Sequence, residues 1–399
     1  GPGGARSKGV NELTMTGSMY AAIAGLRTHM QNLNVIGHNV ANVNTQGYKS
    51  SRSVFETAIY TTISGGSNGT AVVGGRNPSQ IGYGANLASV DIDMSTGNFG
   101  VTGNPTDLML DGDGFFIVGD KTLADNFTGG AEDVSRLSAF DLTRVGNFNF
   151  KSDGYLTKQD GKVVYGFLCT GVVTQEDIDA AGDDSGLVLG EPKFSDQLVP
   201  IRFPRVAVDE NGAVSIAYPG FDEETGHLTD ATGENGEQLS MATFTSITFN
   251  PDTGLITGIS DDTNEKVTIG CIAVGRVTNP NGVTSMGSSY YRAGDGSGGL
   301  MINVLGGNAE DMGIAYVNGS LSDEADGENP ALGDDGMVDG LRIRNGGTTK
   351  MRSSGLEQSK ADLAQEIANM ITTQRGYQAN TRIITVTDSM LEELVNMKR

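Results

Sequence analysis

The first part of the chain carries apolar residues at intervals of seven. They lie between residues 16 and 44 and share one side of a helix: Met19, Leu26, Leu33 and Val40, with Ile23 and Met30 on the adjoining track. This repeat is typical of a helix that packs along a coiled-coil-like seam. We therefore expect a helix here, preceded by an expression tag or extra tract at residues 1–15.

A polar cluster with glycine follows this stripe. It contains Asn42, Asn44, Gly47 and Tyr48. Asparagine competes for backbone hydrogen bonds, and glycine readily adopts the left-handed conformation found at helix ends. The cluster therefore predicts the end of the helix. A second interpretation, compatible with the first, is that its amides satisfy backbone groups at a junction between subunits.

The other end of the chain repeats this design. The apolar track consists of Leu363, Met370, Tyr377, Ile384 and Leu391, with Ile367 beside it. Ser354 and Glu357 fit a capping box, and no proline follows, so we expect a second long helix that reaches Arg399. Only Gly376 weakens it internally, by about 1 kcal/mol relative to alanine.

The segment between the helices differs from them in amino-acid composition and in its pattern of apolar residues. Residues 63–95 are rich in glycine and predict an irregular connector, while short β-forming runs around Asp-Gly and Asn-Gly pairs predict hairpins. We expect a mainly β, discontinuous multidomain chain with long α-helical termini: a helical polymerisation core (16–62 and 355–399), an inner β domain (96–205 and 269–354) and an outer β domain (206–268). The acidic stretch at 320–340 predicts a solvated loop.

The two helical ends require neighbours. An isolated amphipathic helix is only marginally stable in water. The second helix also carries Ile383, Met390 and Met397 on a further face, and surplus apolar surface usually marks an association site. The pattern therefore predicts ends that order when many copies pack, because a repeated head-to-tail contact propagates into a tube or filament.

Charge excludes several classes of partner. Among 399 residues, acidic residues outnumber basic ones 49 to 27, giving a formal net charge of -22. Such a surface repels nucleic acid and anionic lipid. The sequence also contains no apolar run of the roughly 20 residues needed for membrane insertion. A cleavable secretory signal is missing as well.

No motif predicts a cofactor, a metal site or a catalytic residue. Cys169 and Cys271 lack zinc-type spacing and are expected to be buried thiols. The DGDG run at residues 111–114 lacks the other ligands of a calcium loop and predicts a hairpin turn. His29 and His38 are not spaced as helical metal ligands. Carboxylate pairs of the glycosidase type arise from distant residues, so spacing leaves that alternative open.

Several segments, in order, resemble the bacterial flagellar rod and hook axial proteins. They are IAGLRTHMQNLNVIGHNVANVNTQGYKSSRSVF, LDGDGFFIV, TRVGNFNFKSDGYLTKQDGKVVYGF and SSGLEQSKADLAQEIANMITTQRGYQANTRIITVTDSMLEEL. Chain length and the segment 206–268 make the hook branch of the family more similar than the shorter distal rod branch. The long acidic tract near 320–340 departs from the family pattern.

The resemblance implies a structural protein rather than an enzyme. It implies a homopolymer forming a curved extracellular tube that transmits motor torque, with the terminal helices lining the core and β domains outside. Expected partners are the rod, hook cap and hook–filament junction proteins and the type III export apparatus, which needs no cleaved signal peptide. The distal rod is the alternative within the family; a secreted β-rich glycan-binding protein or glycosidase is the alternative from another class.

Overall fold

The computed structural model describes residues 4–69, 73–123, 139–175, 189–195, 198–209, 212–221, 228–232, 239–305, 343–345 and 349–397. These residues form a mainly β chain with a long helix near each end, as the sequence predicts. Contacts divide the chain into two compact units. Unit 1 consists of Gly1–Asn44, Lys49–Asp93 and Lys360–Arg399, and unit 2 of Thr45–Tyr48 and Met94–Ser359.

The described part of unit 1 contains both helices and four strands: α1 (Gly4–Ala41), β1 (Ser51–Thr57), β2 (Tyr60–Ser64), β3 (Ser79–Gly82), β4 (Ala85–Ile92) and α2 (Leu363–Asn396). Strand β1 pairs antiparallel with β4, and β2 with β3. Helix α1 ends at the polar cluster, as predicted. It begins at Gly4 rather than near residue 16, so the tract expected to precede the helix is largely part of it.

The predicted start of the second helix is wrong. Ser354 has a left-handed backbone with φ 64°, and Gly355–Glu357 form a strand of unit 2. Helix α2 begins at Leu363, where the side chain of Asp362 accepts hydrogen bonds from two backbone N–H groups of the first turn. An aspartate at this position is a strong helix start. The helix therefore starts eight residues after the predicted cap, at Asp362 instead of Ser354.

The Gly-rich segment predicted as an irregular connector contains regular structure. Strands β3 and β4 lie within residues 63–95, and β2 ends at Ser64. An isolated bridge joins Ser67 to Arg76 and continues the β2–β3 ladder. Residues 70–72 of the segment lie outside the described residues. The glycine-rich composition of this segment therefore did not indicate the β2–β3 hairpin that the chain forms.

The described part of unit 2 is built from strands and two short 3-10 helices, Pro280–Gly282 and Asp295–Ser297. Its strands are β5 (Phe99–Val101), β6 (Asp107–Asp111), β7 (Phe115–Gly119), β8 (Asp141–Thr143), β9 (Gly146–Phe150), β10 (Leu156–Lys158), β11 (Val163–Val172), β12 (Pro192–Phe194), β13 (Val199–Pro200), β14 (Arg205–Val208), β15 (Val214–Ala217), β16 (Gly220–Phe221), β17 (Leu228–Thr229), β18 (Ser240–Met241), β19 (Phe244–Phe249), β20 (Leu255–Ser260), β21 (Lys266–Val277), β22 (Thr284–Gly287), β23 (Tyr290–Arg292), β24 (Leu300–Val304), β25 (Ile343–Asn345), β26 (Lys350–Ser353) and β27 (Gly355–Glu357).

Most of these strands belong to one large sheet. Its main path runs β22-β23-β8-β7-β21-β11-β10-β9-β6-β26. The long strand β21 pairs antiparallel with β7, β11, β20 and β24. The core against this sheet is apolar and includes Leu108, Phe116, Phe148, Val164, Ile201, Ile272, Val274 and Met351. Burial of such side chains is the main favourable term in folding.

Three of the predicted turns join paired strands. Asp153-Gly154 connects β9 to β10, Asp160-Gly161 connects β10 to β11, and Gly212 lies between β14 and β15. The DGDG run at 111–114 is different, because β6 and β7 do not pair with each other. Strand β6 pairs with β9 and β26, and β7 with β8, β11 and β21. The hairpin prediction for that run is therefore wrong.

Strand β21 runs through residue 268, where the sequence suggested a boundary between inner and outer β domains. That division stays a prediction. The acidic stretch at 320–340 lies outside the described residues. Cys169 and Cys271 are free and buried, which confirms the prediction for both thiols.

Within the described residues, neither helix combines the length and apolar character that a bilayer span requires.

Candidate assembly interface

The two helices of unit 1 pack antiparallel in a single register. Asn39 Nδ2 donates to Glu366 Oε1 at 2.9 Å, and Asn32 Nδ2 donates to Thr373 Oγ1 at 2.9 Å. A step of seven residues forward along α1 thus corresponds to a step of seven backward along α2. We call this line of contacts the polar seam. It consists of Gly25, His29, Asn32 and Asn39 on α1 and Glu366, Thr373, Gly376 and Asn380 on α2.

Close approach distinguishes this seam from a leucine-rich one. A Cβ added at Gly376 would lie 2.7 Å from His29 Cε1, and one added at Gly25 would lie 2.6 Å from Asn380 Nδ2. Real Cβ atoms do not make such contacts, so glycine permits this helix separation. The hydrogen bonds across the seam favour one alignment of the two helices, because they require particular polar residues to lie opposite each other.

A second side of α1 packs on the β1–β4 pair. Thr28 Oγ1 donates to the carbonyl oxygen of Ala85 at 2.8 Å. Asn39 exchanges two hydrogen bonds with the backbone of Ser51, at 2.7 and 2.9 Å, and is 1% exposed. Asn39 therefore ties α1 to both α2 and β1. A buried asparagine with all of its partners in place fixes one register.

The predicted apolar stripes flank the seam rather than form it. On α1, Met19, Leu26, Leu33 and Val40 are half-buried, whereas Ile23 and Met30 are exposed. On α2, Met370, Ile384 and Leu391 are half-buried, whereas Leu363, Ile367 and Tyr377 are exposed. Both helices therefore keep apolar side chains at the surface of unit 1.

Periodicity in apolar residues missed the seam. Its polar members nevertheless recur at the same interval, because Asn32 and Asn39 are seven residues apart, as are Glu366, Thr373 and Asn380. This seven-residue repeat of polar side chains was the sequence feature that could have indicated the seam. It was not recognised because a seam is normally expected to be apolar.

Helix α2 has the more exposed apolar surface. Its exposed apolar side chains include Ile367 and Ile371 near the start, and Ile383, Val386, Met390, Leu394 and Met397 further along. Exposed fractions run from 44% for Ile383 to 76% for Met397. The predicted surplus face of Ile383, Met390 and Met397 is thus exposed in the structure. Surplus exposed apolar surface typically marks a binding surface.

The polar cluster after α1 has two different environments. Asn42 Nδ2 donates to the carbonyl of His38 at the helix end, and Asn44 is exposed. Gly47 is buried in unit 2 with φ 64°, and a Cβ there would lie 2.7 Å from Val145 Cγ2. Tyr48 beside it is half-buried. Gly47 is therefore required by its left-handed backbone and by close packing.

Gly47 contacts a buried ion pair of unit 2. Its N–H donates to the carbonyl oxygen of Glu357 at 2.8 Å. The Glu357 carboxylate lies 3.2 Å from Arg144 Nε and also accepts from the N–H of Gly97 at 2.6 Å. Arg144 and Glu357 are 2% and 1% exposed. Burial lowers the pKa of Arg144, and the nearby Glu357 carboxylate opposes that shift.

Arg144 also reaches backbone oxygens of the DGDG run. Its Nη1 donates to the carbonyls of Gly112 at 2.8 Å and Gly114 at 2.7 Å. These residues connect two strands of the sheet, so the guanidinium holds that connection in place. Among the described residues, no group of three or more His, Cys, Asp or Glu side chains is arranged to hold a metal ion.

Two family models match the chain. The first, described as flagella basal body rod protein, covers residues 19–49, and the second, described as flagellar basal body rod FlgEFG protein C-terminal, covers residues 352–397. A rod protein FlgG of Bacillus subtilis is 29% identical over 96% of this chain and its own full length. Hook proteins FlgE of Borreliella burgdorferi and Treponema pallidum are 27% and 24% identical, with the same coverage.

At both ends, and at lower identity along almost its whole length, the chain is similar to flagellar rod and hook proteins. This similarity supports a structural role in the flagellar hook or rod and not that of an enzyme. The two matched segments include both sides of the polar seam, together with Gly47 and Glu357. The family signature therefore coincides with the parts of the chain that pair the helices and that surround the buried ion pair.

Proposed function

We propose that this protein is a flagellar hook subunit, which self-assembles into a curved, flexible tube that transmits motor torque to the filament. The proposed site of action is the extracellular part of the flagellum, reached through the type III export apparatus without a cleaved signal peptide. Proposed neighbours are the rod, hook cap and hook–filament junction proteins.

The exposed apolar face of α2 is the observation that supports self-assembly. A monomer in water gains nothing from keeping Ile367, Ile371 and Ile383 exposed, whereas a packed array of copies would bury them. The polar seam already pairs α1 with α2, so these side chains are available to other molecules. We propose a coiled-coil-like core in which such helix pairs pack side by side.

The proposed subunit interface comprises the two stripes and the polar cluster. Its members are Met19, Ile23, Leu26, Met30, Leu33, Val40, Asn42, Asn44, Gly47, Tyr48, Leu363, Ile367, Met370, Tyr377, Ile384 and Leu391. Gly47 contributes indirectly, because it is buried and fixes the chain that leaves α1.

The distal rod is the second candidate, because relatives that carry rod names align along almost the whole chain. Curvature distinguishes the two functions. Electron microscopy of assembled protein should reveal curved tubes for a hook subunit and straight ones for a rod subunit.

Charged substitutions on α2 test the proposal. Ile367→Glu with Ile371→Glu introduces two carboxylates into the face expected to be buried in the tube, and should abolish sedimentable polymer under conditions where the wild type assembles. Val101→Glu is the matched control, because Val101 is 78% exposed on a strand of unit 2. Wild-type polymer yield in the double variant would refute this interface.

A further inference from the structure

Asn-Gly pairs occur six times in the chain, and the structure describes both residues in two of them. These two pairs are Asn68–Gly69 and Asn281–Gly282. In such a pair the backbone nitrogen of the glycine can attack the side-chain amide of the asparagine, because glycine has no side chain to hinder the approach and its backbone is flexible. Whether a pair reacts therefore depends on how firmly the fold holds it.

The first pair lies in the loop that connects β2 to β3. Asn68 and Gly69 are both exposed. Ser67, just before them, exchanges two backbone hydrogen bonds of 3.0 Å with Arg76, and these bonds close the loop. The atoms nearest to a Cβ built on Gly69 belong to residues 73–75 of the same loop. No described residue accepts a hydrogen bond from the Gly69 N–H. This nitrogen is therefore not held by the described part of the fold.

The second pair lies in the 3-10 helix Pro280–Gly282 and is held firmly. The N–H of Gly282 donates to the carbonyl oxygen of Asn279 at 3.0 Å, and the N–H of Asn281 donates to Asn279 Oδ1 at 3.2 Å. A Cβ on Gly282 would collide with the carbonyl oxygen of Gly296, which belongs to the other 3-10 helix. The attacking nitrogen is thus engaged, and its backbone cannot shift without displacing a second element.

We infer that Asn68 is a site of spontaneous covalent modification and that the fold protects Asn281 from the same reaction. The Gly69 nitrogen loses its proton to hydroxide and bonds to Asn68 Cγ. The Cγ–Nδ2 bond breaks, and the amide nitrogen takes a proton from water and leaves as ammonia. Water then opens the resulting succinimide ring at one of its two carbonyl carbons. The product is aspartate or isoaspartate, and the reaction needs no oxidant or cofactor.

The reaction changes the loop in two ways. Both products replace a neutral amide with a carboxylate, and isoaspartate also lengthens the backbone by one carbon atom. The longer backbone lies directly beside Ser67, so the two hydrogen bonds between Ser67 and Arg76 should weaken. Modification thus adds a negative charge to unit 1 and loosens the end of the β2–β3 ladder. This inference does not depend on the proposed function.

Incubation of the full chain in mildly alkaline buffer tests the inference. Peptides that contain residues 68 and 281 are compared by mass spectrometry, and isoaspartate is labelled with an isoaspartate methyltransferase. The Asn68 peptide should acquire the mass of the acid. Its conversion should be at least about tenfold faster than that of the Asn281 peptide, because Asn281 reacts only after its 3-10 helix opens locally.

The unfolded chain is the matched control. In denaturant neither pair is held, so the two peptides should convert at similar rates. Asn68→Gln should remove the isoaspartate label from the folded chain, because glutamine must close a larger ring and does so much more slowly. Asn281→Gln should leave the labelling of the folded chain unchanged.

Hydrogen exchange provides a second readout. The amides of Ser67 and Arg76 should exchange faster in the converted chain than in fresh protein. Equal conversion rates for Asn68 and Asn281 in the folded chain would overturn the inference. So would an unreactive Asn68 in the folded chain whose peptide converts in denaturant. A preference for Asn68 that persists in denaturant would refute protection of Asn281 by the fold.

Discussion

Unit 2 buries its large apolar side chains in a β core, whereas unit 1 exposes many of its own on two helices. Phe116, Phe148 and Val274 of unit 2 are at most 2% exposed. In unit 1, Met30 and Met390 are about half exposed, while the buried seam contains asparagine, threonine and glycine. Unit 2 has the composition of a self-sufficient core, and unit 1 that of a part completed by other molecules.

The difference concerns where polar groups are placed. Unit 1 uses buried polar side chains to set the register of its helices and leaves apolar side chains exposed. Unit 2 has a buried ion pair, Arg144 with Glu357, in addition to its apolar core.

Removing one partner of the buried ion pair should have the largest effect. Arg144→Met leaves the Glu357 carboxylate buried without its cation and removes two hydrogen bonds to the DGDG run. We expect the free energy of unfolding of the unassembled chain to fall by about 3–5 kcal/mol. Denaturant titration followed by circular dichroism measures it.

The control for this prediction removes both charges. Arg144→Met combined with Glu357→Leu should recover much of the loss, because no uncompensated charge remains buried. If the free energy of unfolding falls by less than about 1 kcal/mol in the single variant, water or another polar group must stabilise the Glu357 carboxylate once Arg144 is removed. Unit 2 would then be less dependent on its polar interior than the structure indicates.

Removing the buried asparagine of the seam should have an intermediate effect. Asn39→Ala deletes three hydrogen bonds, to the Ser51 backbone and to Glu366. At roughly 0.5–1.5 kcal/mol each, we expect local opening of the helix pair to become easier by about 2–3 kcal/mol. Hydrogen exchange of α1 and α2 amides measures this opening.

Asn42→Ala is the matched control, because Asn42 makes its side-chain hydrogen bond to the carbonyl of His38 at the end of the same helix. Its effect should stay near 0.5 kcal/mol, as is usual for a surface substitution. Equal changes in the two variants would argue that the seam does not depend on its polar contacts. The contrast between the two units would then need another explanation.

Sequence patterns predicted the parts of the fold that depend on local chemistry. The two helices, the end of α1 at the asparagine cluster, and the Asp153-Gly154 and Asp160-Gly161 hairpins follow from residues close together in the chain. The surplus apolar face around Met390 was also predictable, because helical periodicity alone assigns residues to faces.

The remaining features depend on contacts between distant residues. Nothing local to Glu357 indicates that its side chain pairs with Arg144 instead of capping a helix. The DGDG run looks like a hairpin turn, yet its flanking strands have other partners. The polar seam needs the register of α1 against α2, in which Asn32 meets Thr373, and a single helix sequence does not contain that register.

The smallest predicted effect concerns Gly376, where helix propensity and packing oppose each other. Alanine would favour the α2 helix by about 1 kcal/mol. Its Cβ, however, would lie 2.7 Å from His29 Cε1 across the seam. Overpacking of this kind typically costs about 1–3 kcal/mol. We therefore expect Gly376→Ala to destabilise the helix pair by about 1 kcal/mol, measured by hydrogen exchange.

The same change should reverse sign once His29 is truncated. In a His29→Ala background the obstructing ring is absent, and Gly376→Ala should stabilise the pair by up to about 1 kcal/mol. The difference between backgrounds isolates the contact between the two positions. Equal effects in both backgrounds would mean that the helices separate easily at this point. Opposite signs would mean that the seam is as tightly packed as the core of unit 2, so that polar character, and not loose packing, distinguishes the two regions.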